Sequence, residues 1–180
     1  MKTKITVFFI AVLSLIQFGI KAQSFYDLKA TTIDGNEFNF SSLKGKKVMI
    51  VNTASKCGFT PQYEDLEKVY KEYKDKNFII IGFPANNFNK QEPGSNADIK
   101  EFCTKNYGVS FPMMAKISVK GEDKDPVYQW LTEKKLNGKM DSSVKWNFQK
   151  YLIDENGNLV DVAYSIEKPG DDKIINWITK

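Results

Sequence analysis

The chain has no histidine, and all 26 of its basic residues are lysine. Without histidine, Cys-His proteolysis, Ser-His-Asp hydrolysis and His-ligated metal sites are excluded together. Without arginine, the planar fork that grips carboxylates and phosphates through two parallel hydrogen bonds is missing. Cysteine is scarce too: Cys57 and Cys103 are the only thiols in 180 residues. Repeats and low-complexity tracts are absent, so nothing suggests a solenoid or a disordered tail. What remains is a chain of ordinary domain length, long enough to bury a core without disulfide staples.

The apparent basicity is concentrated at the start. Lys2 and Lys4 precede the apolar run Ile5 to Ile20, and Ala22 supplies a small residue before Gln23. This pattern predicts a secretory signal peptide over residues 1–22 and a single domain over 23–180. The expected location is therefore exported, either periplasmic or secreted. A retained membrane anchor is the competing reading, although the apolar run is short for one. Removing residues 1–22 takes away Lys2, Lys4 and Lys21 and no acid, so the formal charge falls from +4 to +1. That balance implies no nucleic-acid partner. Gln23, not a cysteine that could take a lipid, directly follows the cleavage point.

Residues 26–40 read as a β-hairpin, with Asp34-Gly35-Asn36 at the turn. Lys47 to Thr53 is a nearly continuous run of β-formers, as expected of a strand buried on both faces. Pro61 to Lys74 follows as an amphipathic helix, with Tyr63, Leu66, Tyr70 and Tyr73 on its apolar face. Phe78 to Phe83 completes a βαβ unit, which implies a parallel strand pair. Thirteen residues from Pro84 to Asn96 then show no period, and loops that long in compact domains are usually functional or disordered. Ala97 to Asn106 is expected to be a helix that buries Cys103. A strand over 113–119 and a helix over 126–136 come next. Strands over 148–153 and 159–164 form a second hairpin around Asp154-Glu155-Asn156-Gly157-Asn158, and a helix over 171–179 ends the chain.

Cys57 falls between the first buried strand and the first long helix. A cysteine at a helix N-terminus feels partial positive charge and free backbone N–H groups, which favour the thiolate. Lys56 pushes in the same direction. A small, inert, buried cysteine is the plainer reading of the same position. Thr60 stands three residues after Cys57, so there is no C-x-x-C dithiol. Cys57 must act singly or find a distant partner. An ordinary structural disulfide between Cys57 and Cys103 is a further alternative in an exported chain.

The segments Asn52 to Tyr63, Gly82-Phe83-Pro84 with Gln91-Glu92-Pro93-Gly94-Ser95, and Trp146-Asn147-Phe148 resemble the three signature blocks of the glutathione peroxidase family. The resemblance runs from about Tyr26 to the C-terminus, in order. It implies an α/β, thioredoxin-like three-layer sandwich: a central mixed sheet flanked by helices, with an N-terminal β-hairpin. It implies Cys57 as the peroxidatic residue, with Gln91, Trp146 and Asn147 completing a catalytic tetrad. Cleaving a peroxide O–O bond needs a nucleophilic thiolate and donors that steady negative charge on the leaving oxygen. Two amides and an indole N–H supply such donors without titrating. Taken singly, Gln91 reads as a solvated loop residue, Trp146 as a core aromatic and Asn147 as a turn residue.

The segment Ile99 to Cys103 resembles the resolving-cysteine segment of thioredoxin-dependent members. Cys103 is thus expected to condense with the Cys57 sulfenic acid, and reaching it requires local unwinding of residues 97–106. Ala85 and Asn87 depart from the family pattern of cysteine and glutamine, so no third thiol takes part. The stretch between Leu136 and Trp146 lacks the insertion of tetrameric members, and no arginine is present to bind glutathione. The resemblance therefore implies a monomer that consumes hydrogen peroxide and organic, including lipid, hydroperoxides. A thioredoxin-like reductant is its partner and thiols its co-substrate, with no cofactor and no metal. A thiol-disulfide exchanger and a peroxide-responsive redox sensor are the rival functions.

Overall fold

The computed structural model describes residues 23–180; the expected signal peptide lies outside them. A small antiparallel hairpin pairs β1 (Lys29–Thr31) with β2 (Glu37–Asn39). The main sheet contains β3 (Lys47–Thr53), β4 (Phe78–Pro84), β5 (Lys150–Ile153) and β6 (Leu159–Ala163), in the order β4-β3-β5-β6. β3 runs parallel to β4 and antiparallel to β5. The sheet is therefore mixed, as expected.

β3 is buried along its whole length after Lys47, because both faces of the sheet are covered. Its side chains alternate between two cores. Val48 and Ile50 point to a core roofed by Phe25, Phe40, Tyr128 and Trp130. Met49 and Val51 point to the other, which is covered by α1 (Gln62–Tyr73), α2 (Asn96–Tyr107) and α5 (Asp172–Thr179). These three layers place the C-terminal ends of β3 and β4 side by side, with Thr53 opposite Pro84. Open α/β sheets commonly bind ligands at such an edge.

The two helices flanking that edge are held very differently. α1 buries six of its twelve residues, whereas α2 buries only Ile99 and Cys103 of twelve. α2 is instead well finished at its ends: Ser95 and Asp98 form a capping box, and Gly108 closes the helix in the left-handed conformation. It is a locally stable helix on a slender tertiary footing.

Two expected elements differ. Residues 113–119 form isolated bridges to Thr32, Gly82 and Ala85 rather than a strand. The ladder breaks where the Lys116 N–H turns away to the Asn96 side chain and Lys116 Nζ reaches the carbonyls of Glu92 and Gly94. The helix expected over 126–136 is split into α3 (Pro126–Thr132) and α4 (Lys134–Asn137) by an extended Glu133. There the Lys134 N–H bonds Asp141, and Glu133 pairs with Lys124 and Lys135. In both places side-chain partners replace the backbone ones that a regular element would use.

Candidate active site

Cys57 occupies a tight turn after β3 and is partly exposed. The expected position at the start of α1 is not what the structure shows. The helix begins at Gln62, and successive turns joining Thr60 to Cys57, Gln62 to Phe59 and Tyr63 to Thr60 lead into it. The Phe59 N–H, rather than a free helix N–H, points at Cys57 Sγ at 3.4 Å. Thr60, where a second cysteine would complete C-x-x-C, has a structural task. Its hydroxyl accepts from the Cys57 N–H at 3.0 Å and donates to the Ala54 carbonyl at 2.8 Å.

The loop after β4 lies beside this turn and is ordered by its asparagines. Asn87 bonds Ser118, Lys120 and the Val119 N–H, and the Asn86 side chain accepts from the Glu92 N–H. Asn89 and Lys90 take positive φ just before Gln91, turning the chain toward Cys57. The Lys56 N–H then donates to the Gln91 carbonyl at 3.0 Å, and the Ser55 hydroxyl donates to Glu92 Oε1 at 2.6 Å. Two loops 30-odd residues apart are thus tied at the two residues just before the thiol.

The third segment precedes β5. Asn147 is fully buried, and its amide donates to Gln91 Oε1 at 2.8 Å. Asn52 anchors this segment twice: its side chain donates to the Trp146 carbonyl, and its own carbonyl accepts the Phe148 N–H. Phe148 is held at φ 63°, a conformation rarely adopted by a bulky side chain. Trp146 stays partly exposed, its ring against Phe88 with centroids 5.3 Å apart. The structure therefore joins Gln91 directly to Asn147 and both to the Cys57 turn. Among the described residues, none of Gln91, Trp146 and Asn147 donates to Cys57 Sγ itself.

Cys103 is free, buried at 2 % exposure, and packs on the same core as Cys57. Burial pushes its thiol up to about 11; the Glu92 charge adds to this and the Tyr63 hydroxyl opposes it. Burial likewise raises the Glu92 carboxyl, against the pull of the Ser55 hydrogen bonds and of Lys116 and Lys56. Glu92, Ser55, Tyr63 and Asn52 escaped the sequence reading as site residues. All four lie inside the motif blocks, Asn52 and Tyr63 at the ends of the first, but Tyr63 also reads as an ordinary apolar helix position.

The family model for glutathione peroxidase matches residues 25–132. The chain is 55% identical over 145 residues to the glutathione peroxidase-like peroxiredoxin gpx1 of Schizosaccharomyces pombe, covering 81% of this chain and 91% of that one. This chain belongs to the glutathione peroxidase family. It is a thiol peroxidase. The solved apo structure of Trgpx superposes with a TM-score of 0.69 at 40% identity, covering 89% of this chain and 98% of that one. A thioredoxin-family thiol:disulfide interchange protein from Chlorobium tepidum superposes at 0.62 with 22% identity, over 87% of this chain and 95% of that one. That likeness establishes the thioredoxin-like fold.

Proposed function

We propose that Cys57 is the peroxidatic nucleophile, Cys103 the resolving thiol, and a thioredoxin-like dithiol protein the reductant. The Cys57 thiolate attacks one peroxide oxygen; the S–O bond forms, the O–O bond breaks, and the leaving oxygen takes a proton to become water or an alcohol. The Cys103 thiol then attacks the Cys57 sulfenic acid, forming the disulfide and releasing water. A reductant dithiol returns both cysteines to thiols. The electrons pass through sulfur alone, so the cycle needs no metal or cofactor.

The observation that carries this reading is the lashing of the exposed Cys57 turn to Gln91, whose side chain is in turn held by Asn147. It assembles a nucleophile and amide donors at one sheet edge, where developing oxyanion charge can be steadied. Cys103 lies behind the same edge on the weakly anchored α2, so its approach to Cys57 requires α2 to loosen. The short stretch from Gly138 to Lys145 leaves the site without a covering loop, consistent with a monomer and with bulky hydroperoxides as substrates. Residues 1–22 would export the enzyme, which then works with a reducing relay outside the cytoplasm.

The test is peroxide consumption coupled to thioredoxin or to glutathione. Turnover of many equivalents with thioredoxin, lost in Cys57→Ser while the fold persists, is the expected result. Substantial activity in Cys57→Ser, or a preference for glutathione, would overturn the assignment. Consumption of a single equivalent would instead identify a sensor.

A further inference from the structure

Beneath α2 lies a group of buried polar atoms that the peroxide step does not use. Glu92 is fully buried; one carboxylate oxygen holds the Ser55 hydroxyl, and the other, Oε2, has no hydrogen-bond partner among the described residues. The Tyr63 hydroxyl lies against the Cys103 thiol and near the Thr53 hydroxyl, without a well-formed hydrogen bond to either. Buried polar atoms are satisfied in the great majority of cases, and clustered exceptions call for an explanation. Two of the exceptions, Glu92 Oε2 and the Tyr63 hydroxyl, lie on the side of the sheet that α2 covers. A cleft lined by Ser55, Lys56, Glu92, Ile99 and Phe102 places Glu92 between the Cys57 turn and α2, where Ile99 lies one helical turn before Cys103 on the same buried face.

We propose that Glu92 is the general base of the resolving step, accepting the Cys103 proton at Oε2 as α2 loosens. This rests on the reading of Cys103 as the resolving thiol. The buried thiol cannot attack as such, because the thiolate is the nucleophile. Glu92 takes the S–H proton, the sulfur attacks Cys57 Sγ, the S–S bond forms and the S–O bond breaks. The departing hydroxide collects one proton, so the sum is thiol plus sulfenic acid to disulfide plus water, and Glu92 returns to carboxylate. Ser55, at the Cys57 turn, keeps the carboxylate oriented through Oε1. The groups facing Glu92 are Lys56 from the Cys57 turn, Lys116 from the 113–119 segment, Tyr63 from α1 and Cys103 from α2; those facing Cys103 are Tyr63 and Glu92. Desolvation of the carboxylate strengthens it as a base, which suits this task.

The experiment mixes reduced protein with one equivalent of hydrogen peroxide, quenches with a thiol-alkylating reagent, and follows sulfenic acid and disulfide separately by mass from pH 6 to 10. In Glu92→Gln, disulfide formation is expected to slow by about tenfold or more at pH 7, the low end or below of general-base effects. The deficit should shrink as hydroxide takes over the deprotonation. Glu92→Asp should recover part of the rate and the wild-type shape of the pH profile. Equal disulfide rates in wild type and Glu92→Gln would overturn the base role alone. So would a deficit independent of pH, or equal slowing of both steps, which would mark Glu92 as a structural tie. No disulfide in the wild type would overturn the resolving role of Cys103 and the base role with it.

Discussion

Asn147 and Gln91, 56 residues apart in the chain, share a 2.8 Å hydrogen bond in which the buried asparagine amide donates to Gln91 Oε1. The bond orients the glutamine by occupying its oxygen, so the Gln91 NH₂ remains free to donate elsewhere. In the proposed cycle Asn147 therefore acts on the peroxide step through Gln91.

Asn147→Ala should lower the second-order rate of Cys57 oxidation by about 10- to 100-fold, somewhat less than direct loss of an oxyanion donor. Stability should fall by about 1–3 kcal/mol, because the pairing inside the protein is lost. Stopped-flow oxidation by hydrogen peroxide and urea unfolding measure the two effects.

Cys103→Ser should separate the two halves of the cycle. One equivalent of peroxide is expected to leave a protein heavier by one oxygen and without a disulfide. Steady turnover with thioredoxin should fall to near zero while the first oxidation keeps its wild-type rate. Intact-mass spectrometry and a coupled assay check this.

Ile99 is one of only two buried side chains that hold α2. Ile99→Ala should cost a few kcal/mol, toward the lower end of the roughly 2–5 kcal/mol typical of buried Ile or Leu truncation. Disulfide formation should nevertheless become faster, since opening of α2 precedes it. A slower disulfide in the variant would show that docking of α2, rather than its release, limits the step. Hydrogen exchange should find α2 amides opening more readily than those of α1.

Alkaline pH should reveal two buried groups of opposite sign. Lys150 has no exposed surface and donates to Gln62 Oε1 and the Glu167 carbonyl; burial lowers it from 10.5 to about 8. Above about pH 8 the unfolded chain binds more protons at this site than the folded one, so stability rises with pH. Cys103, raised from 9.0 to about 11, keeps its proton in the folded state while the unfolded chain loses it, so stability falls from about pH 9 to 11. Lys150→Met should flatten the rise between pH 8 and 9, and Cys103→Ser should lessen the later fall. Denaturant midpoints across pH 7–11 measure both.

The layers were legible because they depend on local pattern. The apolar run of β3, the spacing of Tyr63, Leu66 and Tyr70, and the Asp154 to Asn158 turn each carry their own signal. The strand expected over 113–119 and the helix over 126–136 failed where Lys116 and Lys134 find side-chain partners brought near only by folding. Gln91 and Asn147 were found by motif, but their mutual bond follows from the Asn89-Lys90 turn. Glu92 had no signal of its own, since a glutamate in a polar loop reads as solvated until the loop closes over it.

In the proposed cycle, the slender footing of α2 also works as a clock. Between oxidation of Cys57 and arrival of Cys103, the sulfenic acid waits for as long as the helix takes to let go. At low peroxide that interval is harmless, because no second oxidant arrives in time. At high peroxide it becomes a window in which a second molecule carries Cys57 on to the sulfinic acid and ends its service. On the proposed cycle, the packing of α2 through Ile99, Cys103 and the half-buried Phe102 and Tyr107 sets the dose of peroxide that the enzyme survives.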